Sequence, residues 1–229
     1  MATRSARLRW LGHSCFHLTS PDGVEVLIDP FDLKVGYPAP ELPPVDLVLI
    51  THEHSDHSNA ALAPGTPKVV RGLTPTGWRP GTEGVRDVHV TMVGGAYHDE
   101  MQGTQRGRTA LIVIRVAGVR LLHLGDLGHA LSAELIATLR DPDVLCVPVG
   151  GHYTIDGPAA RRVAESLQPR ITIPMHYKTP RLPPDHPIAS LEDSGFLTGA
   201  TVQMRDAAEL ALEPERVPSG STVVVFRTP

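Results

Sequence analysis

The chain of 229 residues is long enough to bury a substantial core, and a single domain over residues 1–229 is the simplest organisation. Its composition, 41% hydrophobic and 20% charged, is typical of a globular protein. The formal net charge of −4 excludes a broad basic surface for nucleic acid, and no apolar stretch reaches the roughly 18 residues of a membrane span.

The cysteines and the first residues indicate a reducing compartment. Cys15 and Cys146 are the only two cysteines, too few for the disulfide framework of a secreted domain, and each is expected in the core. Residues 1–9 contain three arginines, but no apolar run follows them, so no secretory signal is expected. We therefore expect a cytoplasmic protein with no membrane partner.

Short apolar runs bounded by glycine and proline predict a protein rich in β-structure. Runs such as Leu47–Ile50 are apolar throughout, which is typical of strands covered on both faces. The sequence Val116-Ala117-Gly118-Val119 predicts a hairpin. The predicted strands span residues 7–11, 15–19, 24–29, 47–51, 68–71, 85–93, 110–116, 119–125, 144–149, 171–174, 202–204 and 223–227.

Helices are predicted less often than strands. Ser132 and Asp156 are suitable N-caps for two amphipathic segments, which end at Arg140 and Gln168 before prolines. Two further short helices are predicted over residues 59–62 and 190–194. Strands dominate the first half and alternate with helices in the second, which predicts a layered α/β fold of mixed sheets covered by helices.

The strongest chemical signal follows the apolar run at Leu47–Ile50. The next residues read Thr51-His52-Glu53-His54-Ser55-Asp56-His57, four metal donors within six positions. In extended chain, residues two apart point the same way, so His52 and His54 can face one metal while Asp56 and His57 turn towards another. The spacing excludes a helical His-Glu-x-x-His site, and the alternative is a solvated histidine-rich loop.

This motif, together with Trp10-Leu11-Gly12-His13-Ser14-Cys15-Phe16 and Leu27-Ile28-Asp29-Pro30-Phe31, resembles the metallo-β-lactamase superfamily. Within it, the chain is similar to the branch that contains L-ascorbate-6-phosphate lactonase-like proteins. The resemblance covers nearly the whole chain. It implies an αββα sandwich, in which two mixed sheets are flanked by helices and the metals lie at one edge.

The resemblance also implies a ligand set drawn from separated segments. One metal would be held by His52, His54 and His98, the other by Asp56, His57 and His176, and Asp126 would bridge them. Four of the five segments begin at or follow a predicted strand end, where sites commonly assemble. One or two divalent ions are expected. Ligands rich in nitrogen and lacking sulfur suit zinc best, and Mn²⁺ or Fe²⁺ stays open.

Such a site predicts hydrolysis. Two metals about 3.5–4 Å apart share a hydroxide that attacks an ester, lactone, amide or phosphodiester. Asp56 is the candidate to orient this nucleophile and take its proton, although a role as plain ligand is equally compatible. Glu53, Asp29 and backbone carbonyls are candidates to fix the histidine tautomers, and the sequence does not rank them.

Other polar residues carry weaker signals. His13, His152, Tyr153 and Lys178 are predicted to line a substrate pocket, where Lys178 would pair with a phosphate or carboxylate. The remaining histidines are predicted to be structural or exposed, namely His17, His89, His123, His129 and His186.

Three functions compete at this point: a small-molecule hydrolase such as a lactonase or phosphoesterase, a nuclease of the same fold, and a non-catalytic metal-binding protein. The acidic charge and single-domain length favour a small-molecule substrate over nucleic acid. The complete ligand set argues against a protein without catalysis. The sequence does not decide between a monomer and a homo-oligomer.

Overall fold

Two β-sheets packed face to face form the body of the structure, a computed structural model that describes residues 5–215 and 220–229. Residues 1–4, within the segment expected to lack a secretory signal, lie outside this range. The first sheet has six strands, in the order Glu209–Leu212 (β15), Ala6–Gly12 (β1), Cys15–Thr19 (β2), Glu25–Ile28 (β3), Leu47–Ile50 (β4) and Lys68–Arg71 (β5).

The second sheet has eight strands. Their order is Val202–Arg205 (β14), Thr222–Phe226 (β16), Ile171–Met175 (β13), Val144–Pro148 (β12), Val119–His123 (β11), Arg108–Val116 (β10), Val88–Tyr97 (β9) and Gly81–Val85 (β8). A small ribbon joins Leu73–Thr74 (β6) to Gly77–Trp78 (β7). Both large sheets are mixed, because β3-β4-β5 and β11-β12-β13-β16 run parallel while β1-β2 and β8-β9-β10 are antiparallel.

Strand β4 is buried on both faces, as its apolar sequence predicts. Leu47 and Leu49 belong to the large core between the sheets, whereas Val48 and Ile50 belong to a smaller apolar cluster on the outer face of the first sheet. The alternation follows from the two-residue period of a strand. Burial on both sides fixes the register of β4, and with it the start of the histidine-rich loop that follows.

Two α-helices cover the second sheet. Ala133–Leu139 (α1) begins after Ser132, whose hydroxyl accepts from the Leu135 N–H, and Gly157–Leu167 (α2) begins after Asp156, whose carboxylate accepts from the Ala159 N–H. Both predicted caps are confirmed. On the outer face of the first sheet, irregular chain and the 3₁₀ turns Leu33–Val35 and Ala60–Leu62 take the place of a helical layer in the part of the chain that the structure describes.

Several predicted elements are wrong in detail. The helix predicted over residues 59–62 is a 3₁₀ turn, and that over 190–194 is a single turn closed by the Ser194 N–H and the Ser190 carbonyl. The strand predicted over residues 85–93 is broken by a tight turn, in which Arg86 has φ of 49°. Strands β6, β7, β8 and β15 were not predicted, because each is short or lies at a sheet edge and lacks a long apolar run.

The fold brings several strand ends to one edge of the sandwich. Segments carrying candidate site residues follow β3, β4, β9, β11 and β13, and the β1–β2 turn reaches the same edge. Cys15 and Cys146 are both free thiols in the core. None of the helices between residues 5 and 215 or 220 and 229 combines the length and apolarity needed to cross a bilayer.

Candidate metal centre

One group of donors gathers where β4, β9 and β11 end. It consists of His52, His54, His98 and Asp126, whose candidate ligand atoms all lie within 4.8 Å of one another. The His52 ring centroid is 4.2 Å from that of His98 and 4.7 Å from that of His54. His54 is exposed and the other three are buried. This group therefore has one side open to solvent.

A second group lies beside the first and contains His13, Asp56, His57 and His176, again with ligand atoms within 4.8 Å. The His13 Nε2 atom is 3.1 Å from Asp56 Oδ2, and the His13 and His176 ring centroids are 4.1 Å apart. Three members are buried and only Asp56 is partly exposed. The sequence predicted His13 as pocket lining, whereas the structure places it among the candidate donors.

Asp126 lies between the two groups. Its Oδ1 atom is 3.1 Å from His57 Nε2, and its Oδ2 atom is 3.4 Å from His176 Nε2. The same Oδ2 atom is 3.8 Å from both His52 Nε2 and His98 Nδ1. Burial opposes ionisation, but His176 and His57 hold the Asp126 pKa well below its usual range. Asp126 is therefore an anion that faces donors of both groups, as a bridging ligand must.

Hydrogen bonds fix the ring orientations of three histidines so that each directs its other ring nitrogen towards Asp126. Thr51 Oγ1 donates to Asp29 Oδ2 at 2.6 Å, so it accepts from His52 Nδ1 at 2.9 Å and leaves His52 Nε2 unprotonated. His57 Nδ1 donates to Asp29 Oδ2 at 2.9 Å, and His98 Nε2 donates to the Arg108 carbonyl at 3.2 Å. The remaining nitrogens, His57 Nε2 and His98 Nδ1, face Asp126.

The donor set fits divalent metal ions. His52 Nε2, His57 Nε2, His176 Nδ1 and Asp126 Oδ1 are buried atoms without a hydrogen-bond partner among the described residues. A buried polar atom without a hydrogen-bond partner destabilises the folded state unless it binds a ligand or metal ion. Donors held by one tetrahedral zinc at about 2.0–2.1 Å lie roughly 3.3 Å apart, close to the shortest separations around Asp126.

Burial keeps most of these rings neutral. It lowers the pKa of His52 well below the ordinary value, and it lowers the pKa values of His13 and His98 to about 4. His57 differs, because the charge of Asp126 outweighs burial and raises its pKa well above the usual value. Burial also opposes ionisation of Asp56, but the hydrogen bond from His13 holds its pKa below its usual range. A buried cation would compensate this accumulation of carboxylates.

Asp29 supports the centre from behind. It is fully buried and accepts from the Thr51 N–H at 2.8 Å, as well as from the Thr51 hydroxyl and His57. Carboxylates in this position orient metal-binding histidines. Glu53, the other side-chain candidate from the sequence, instead pairs with Arg71 at the surface. The sequence offered Asp29 and Glu53 as equal candidates to orient the histidines. In the structure Asp29 is the one that is buried and contacts His57.

Backbone geometry at the site leaves little freedom. His13, Asp29 and His176 have φ values of 51°, 43° and 52°, in the left-handed region that few residues other than glycine adopt. A Cβ atom on Gly128 would lie 1.9 Å from the His98 carbonyl oxygen, so only glycine fits beside that backbone. Strained positions of this kind cluster at functional sites, where surrounding contacts hold them.

The predicted pocket residues lie on loops around the centre. Arg106 places its guanidinium 5.2 Å from the Tyr153 ring centroid and donates to the His152 carbonyl, while Lys178 donates to the Pro184 carbonyl. The ring centroid of His186 is 6.3 Å from that of Tyr153, and its pKa is lowered by partial burial and by the charges of His176, Lys178 and His152. His152 and Tyr153 are exposed.

We call His152, Tyr153, Lys178, Arg106 and His186, which lie on loops, the rim of the site. Other histidines are part of the folded framework instead. Sequence reasoning missed the contribution of Arg106 and His186 to the rim, since neither lies near a recognisable motif. His123, predicted to be structural, is fully buried and hydrogen-bonds the Ser14 carbonyl at 2.9 Å. His17 pairs with Glu25 at 2.7 Å, away from the metal centre.

Comparison with known proteins agrees with this geometry. Residues 7–176 match the family described as "Beta-lactamase superfamily domain". A UPF0173 metal-dependent hydrolase of Koribacter versatilis is 34% identical over 205 residues, covering 78% of this chain and 87% of that protein. Another, from Thermoplasma acidophilum, is 33% identical and covers 76% of this chain and 84% of its own.

A solved structure extends the likeness to the whole fold. It is that of a protein from Thermotoga maritima described as a Zn-dependent hydrolase of the metallo-β-lactamase superfamily. The two chains are 30% identical, with a TM-score of 0.73 over 98% of this chain and 100% of that one. The chain therefore has the metallo-β-lactamase fold and belongs to the UPF0173 family of metal-dependent hydrolases within the β-lactamase superfamily.

Proposed function

We propose that the protein binds two divalent metal ions, zinc by preference, and hydrolyses an ester, lactone or phosphoester bond in a small molecule. One observation carries the proposal. Two hydrogen-bond networks, one through Thr51 and Asp29 and one through the Arg108 carbonyl, direct His52 Nε2, His57 Nε2 and His98 Nδ1 towards the shared carboxylate of Asp126. Imidazole nitrogen and carboxylate oxygen are standard donors to zinc, whereas softer ions such as Cu(I) prefer the sulfur of cysteine or methionine.

The proposed ligands divide as the two groups do. His52, His54 and His98 hold one ion, Asp56, His57 and His176 hold the other, and Asp126 contacts both. When bound, the ions lower the pKa of a coordinated water towards 7 and polarise the substrate oxygen. We infer that Asp56, which is partly exposed and contacts His13, would orient the attacking water and accept its proton.

The loops around the centre supply the proposed substrate contacts. Arg106, Lys178 and His186 present basic groups, and Tyr153 adds an exposed aromatic face beside them. A charged donor at this rim would bind a carboxylate or phosphate group of the substrate. The rim therefore favours small anionic esters, lactones such as those of the ascorbate-6-phosphate lactonase-like branch, and phosphoesters over neutral ones.

The test is metal content followed by turnover. Purified protein should contain close to two zinc equivalents, lose activity when treated with dipicolinate, and regain it when Zn²⁺ is returned. Activity is measured on a panel of lactones, carboxyl esters, phosphomonoesters and phosphodiesters. Metal-loaded protein that is inert towards the whole panel would contradict the hydrolase, and cleavage of single-stranded RNA that falls steeply with salt would instead indicate a nuclease.

A further inference from the structure

His13 occupies a position that a surface turn does not explain. It lies between β1 and β2, far in sequence from the histidine-rich loop, yet it is only 3% exposed. Its Nε2 atom is 3.1 Å from Asp56 Oδ2, and its ring is centred 4.1 Å from that of His176 and 5.3 Å from that of His57. The ring is thus surrounded by the proposed ligands of the second metal.

The backbone around His13 is built to hold it there. Its φ of 51° lies in the left-handed region, and its carbonyl accepts from Trp10 Nε1 at 3.0 Å and from the His176 N–H at 3.2 Å. The preceding Gly12 has φ of 109°, and a Cβ atom there would lie 2.2 Å from the Tyr37 ring. A strained turn tied directly to the backbone of His176 fixes the distance between the two rings.

The two ring nitrogens of His13 have the surroundings expected of a metal ligand. Nδ1 is buried without a hydrogen-bond partner among the described residues, and Nε2 meets only the carboxylate of Asp56. A separation of 3.1 Å between this nitrogen and Asp56 Oδ2 is close to the roughly 3.3 Å between neighbouring donors on one tetrahedral zinc. A candidate ligand atom of His13 lies within 4.8 Å of those of Asp56, His57 and His176.

We propose that His13 is a further ligand of the second metal, which then has four protein donors besides Asp126. The inference rests on the proposed function, because it requires a metal at this position. Its consequence is a difference between the two positions. Structural zinc sites are closed by protein donors, and catalytic ones keep a position free. The second metal would then have one protein donor more than the first, whose ligand His54 is exposed, so we expect the substrate oxygen to reach the first metal more readily.

Two variants separate a ligand from a residue that only orients Asp56. His13→Gln can still donate a hydrogen bond from about the position of Nε2, whereas His13→Asn cannot reach Asp56 but tolerates the left-handed backbone. Zn²⁺ binding to the metal-free protein is measured by calorimetry and by metal analysis after gel filtration. Both variants should lose at least tenfold in affinity at one of two sites, while the surface control His89→Asn keeps both.

The same samples distinguish the alternatives. Wild-type affinity in His13→Gln, with a loss only in His13→Asn, would overturn the ligand role in favour of positioning. Unchanged binding in both variants would overturn it as well. If the wild-type protein itself bound no metal or hydrolysed nothing, the proposed function would fail instead.

A measurement on the wild-type protein guards against variants that do not fold. Protein labelled with ¹⁵N-histidine and loaded with ¹¹³Cd²⁺ is examined for metal–nitrogen coupling by NMR. Six coupled histidines are expected if His13 binds, namely His13, His52, His54, His57, His98 and His176. Five coupled histidines, with His13 absent from the set, would exclude it as a ligand.

Discussion

The two donor groups share Asp126 but are built differently. In the first, His52, His54 and His98 come from the ends of two strands, and His54 is open to solvent. In the second, every histidine is buried, and two of its members, His13 and His176, lie on left-handed backbone. We infer that the first proposed metal position is open to solvent and that the second is enclosed. Changes confined to one group should therefore affect metal binding and turnover in different proportions.

The largest effect on metal binding and turnover is expected at Asp126, the residue that faces both donor groups. Asp126→Asn keeps the shape of the side chain but removes the negative charge that faces both groups. We expect kcat/KM to fall by more than the roughly 100-fold that loss of an outer-shell partner costs, together with loss of bound metal. Metal analysis and steady-state kinetics measure both, with the exposed Asp22→Asn as control. Near-normal activity in a variant retaining two zinc ions would contradict a bridging role.

A smaller and more selective effect is expected from Thr51→Val. This change keeps the side-chain shape but removes the hydroxyl that accepts from His52 Nδ1, while the contact between Asp29 and His57 survives. Loss of an outer-shell partner typically costs about 10–100-fold in metal affinity. We expect that loss at the first position only, so that one zinc equivalent becomes easily removed by a chelator.

The matched control for this change is Thr172→Val, a buried threonine of β13 outside both groups. It should retain both metals with wild-type affinity. Equal weakening of both positions in Thr51→Val would show that Asp29, which the same hydroxyl contacts, couples the two groups. The distinction between an accessible and a retained metal would then fail.

The same contrast explains what the sequence revealed. The candidate donors after β4 were predicted, because the apolar strand pattern and the short loop that follows it bring His52, His54, Asp56 and His57 to one edge of the sheet. His98, Asp126 and His176 were assigned by resemblance alone. The placement of His13 among the candidate donors was not predicted, because it depends on a turn held by Trp10 and by the backbone of His176, and no local sequence pattern signals these contacts.

The fold, like the site, was predicted partly from local sequence patterns and partly from resemblance. The buried strands and the two capped helices were found from local patterns, and the sandwich followed from resemblance. The covering of the outer face of the first sheet was not predicted, because side chains such as Phe31, Tyr37 and Leu182 pack there from irregular segments. Irregular segments carry no periodic signal, and only their tertiary contacts define them. For the same reason the sequence indicated only part of the rim, namely His152, Tyr153 and Lys178, and did not indicate that Arg106 and His186 lie beside Tyr153.

The smallest effect is expected at that rim, and it tests which group faces the substrate. Lys178→Gln removes a partly exposed charge that follows His176 and neighbours His186 without touching the proposed ligands. A partly exposed ion pair contributes about 0.2–1 kcal/mol, so KM for an anionic ester should rise by roughly 1.5- to 5-fold with kcat and metal content unchanged. A neutral ester of the same alcohol is the matched comparison, because its KM should not move. An equal change for both esters would mean that Lys178 supports the loop through its bond to Pro184 and does not select charge.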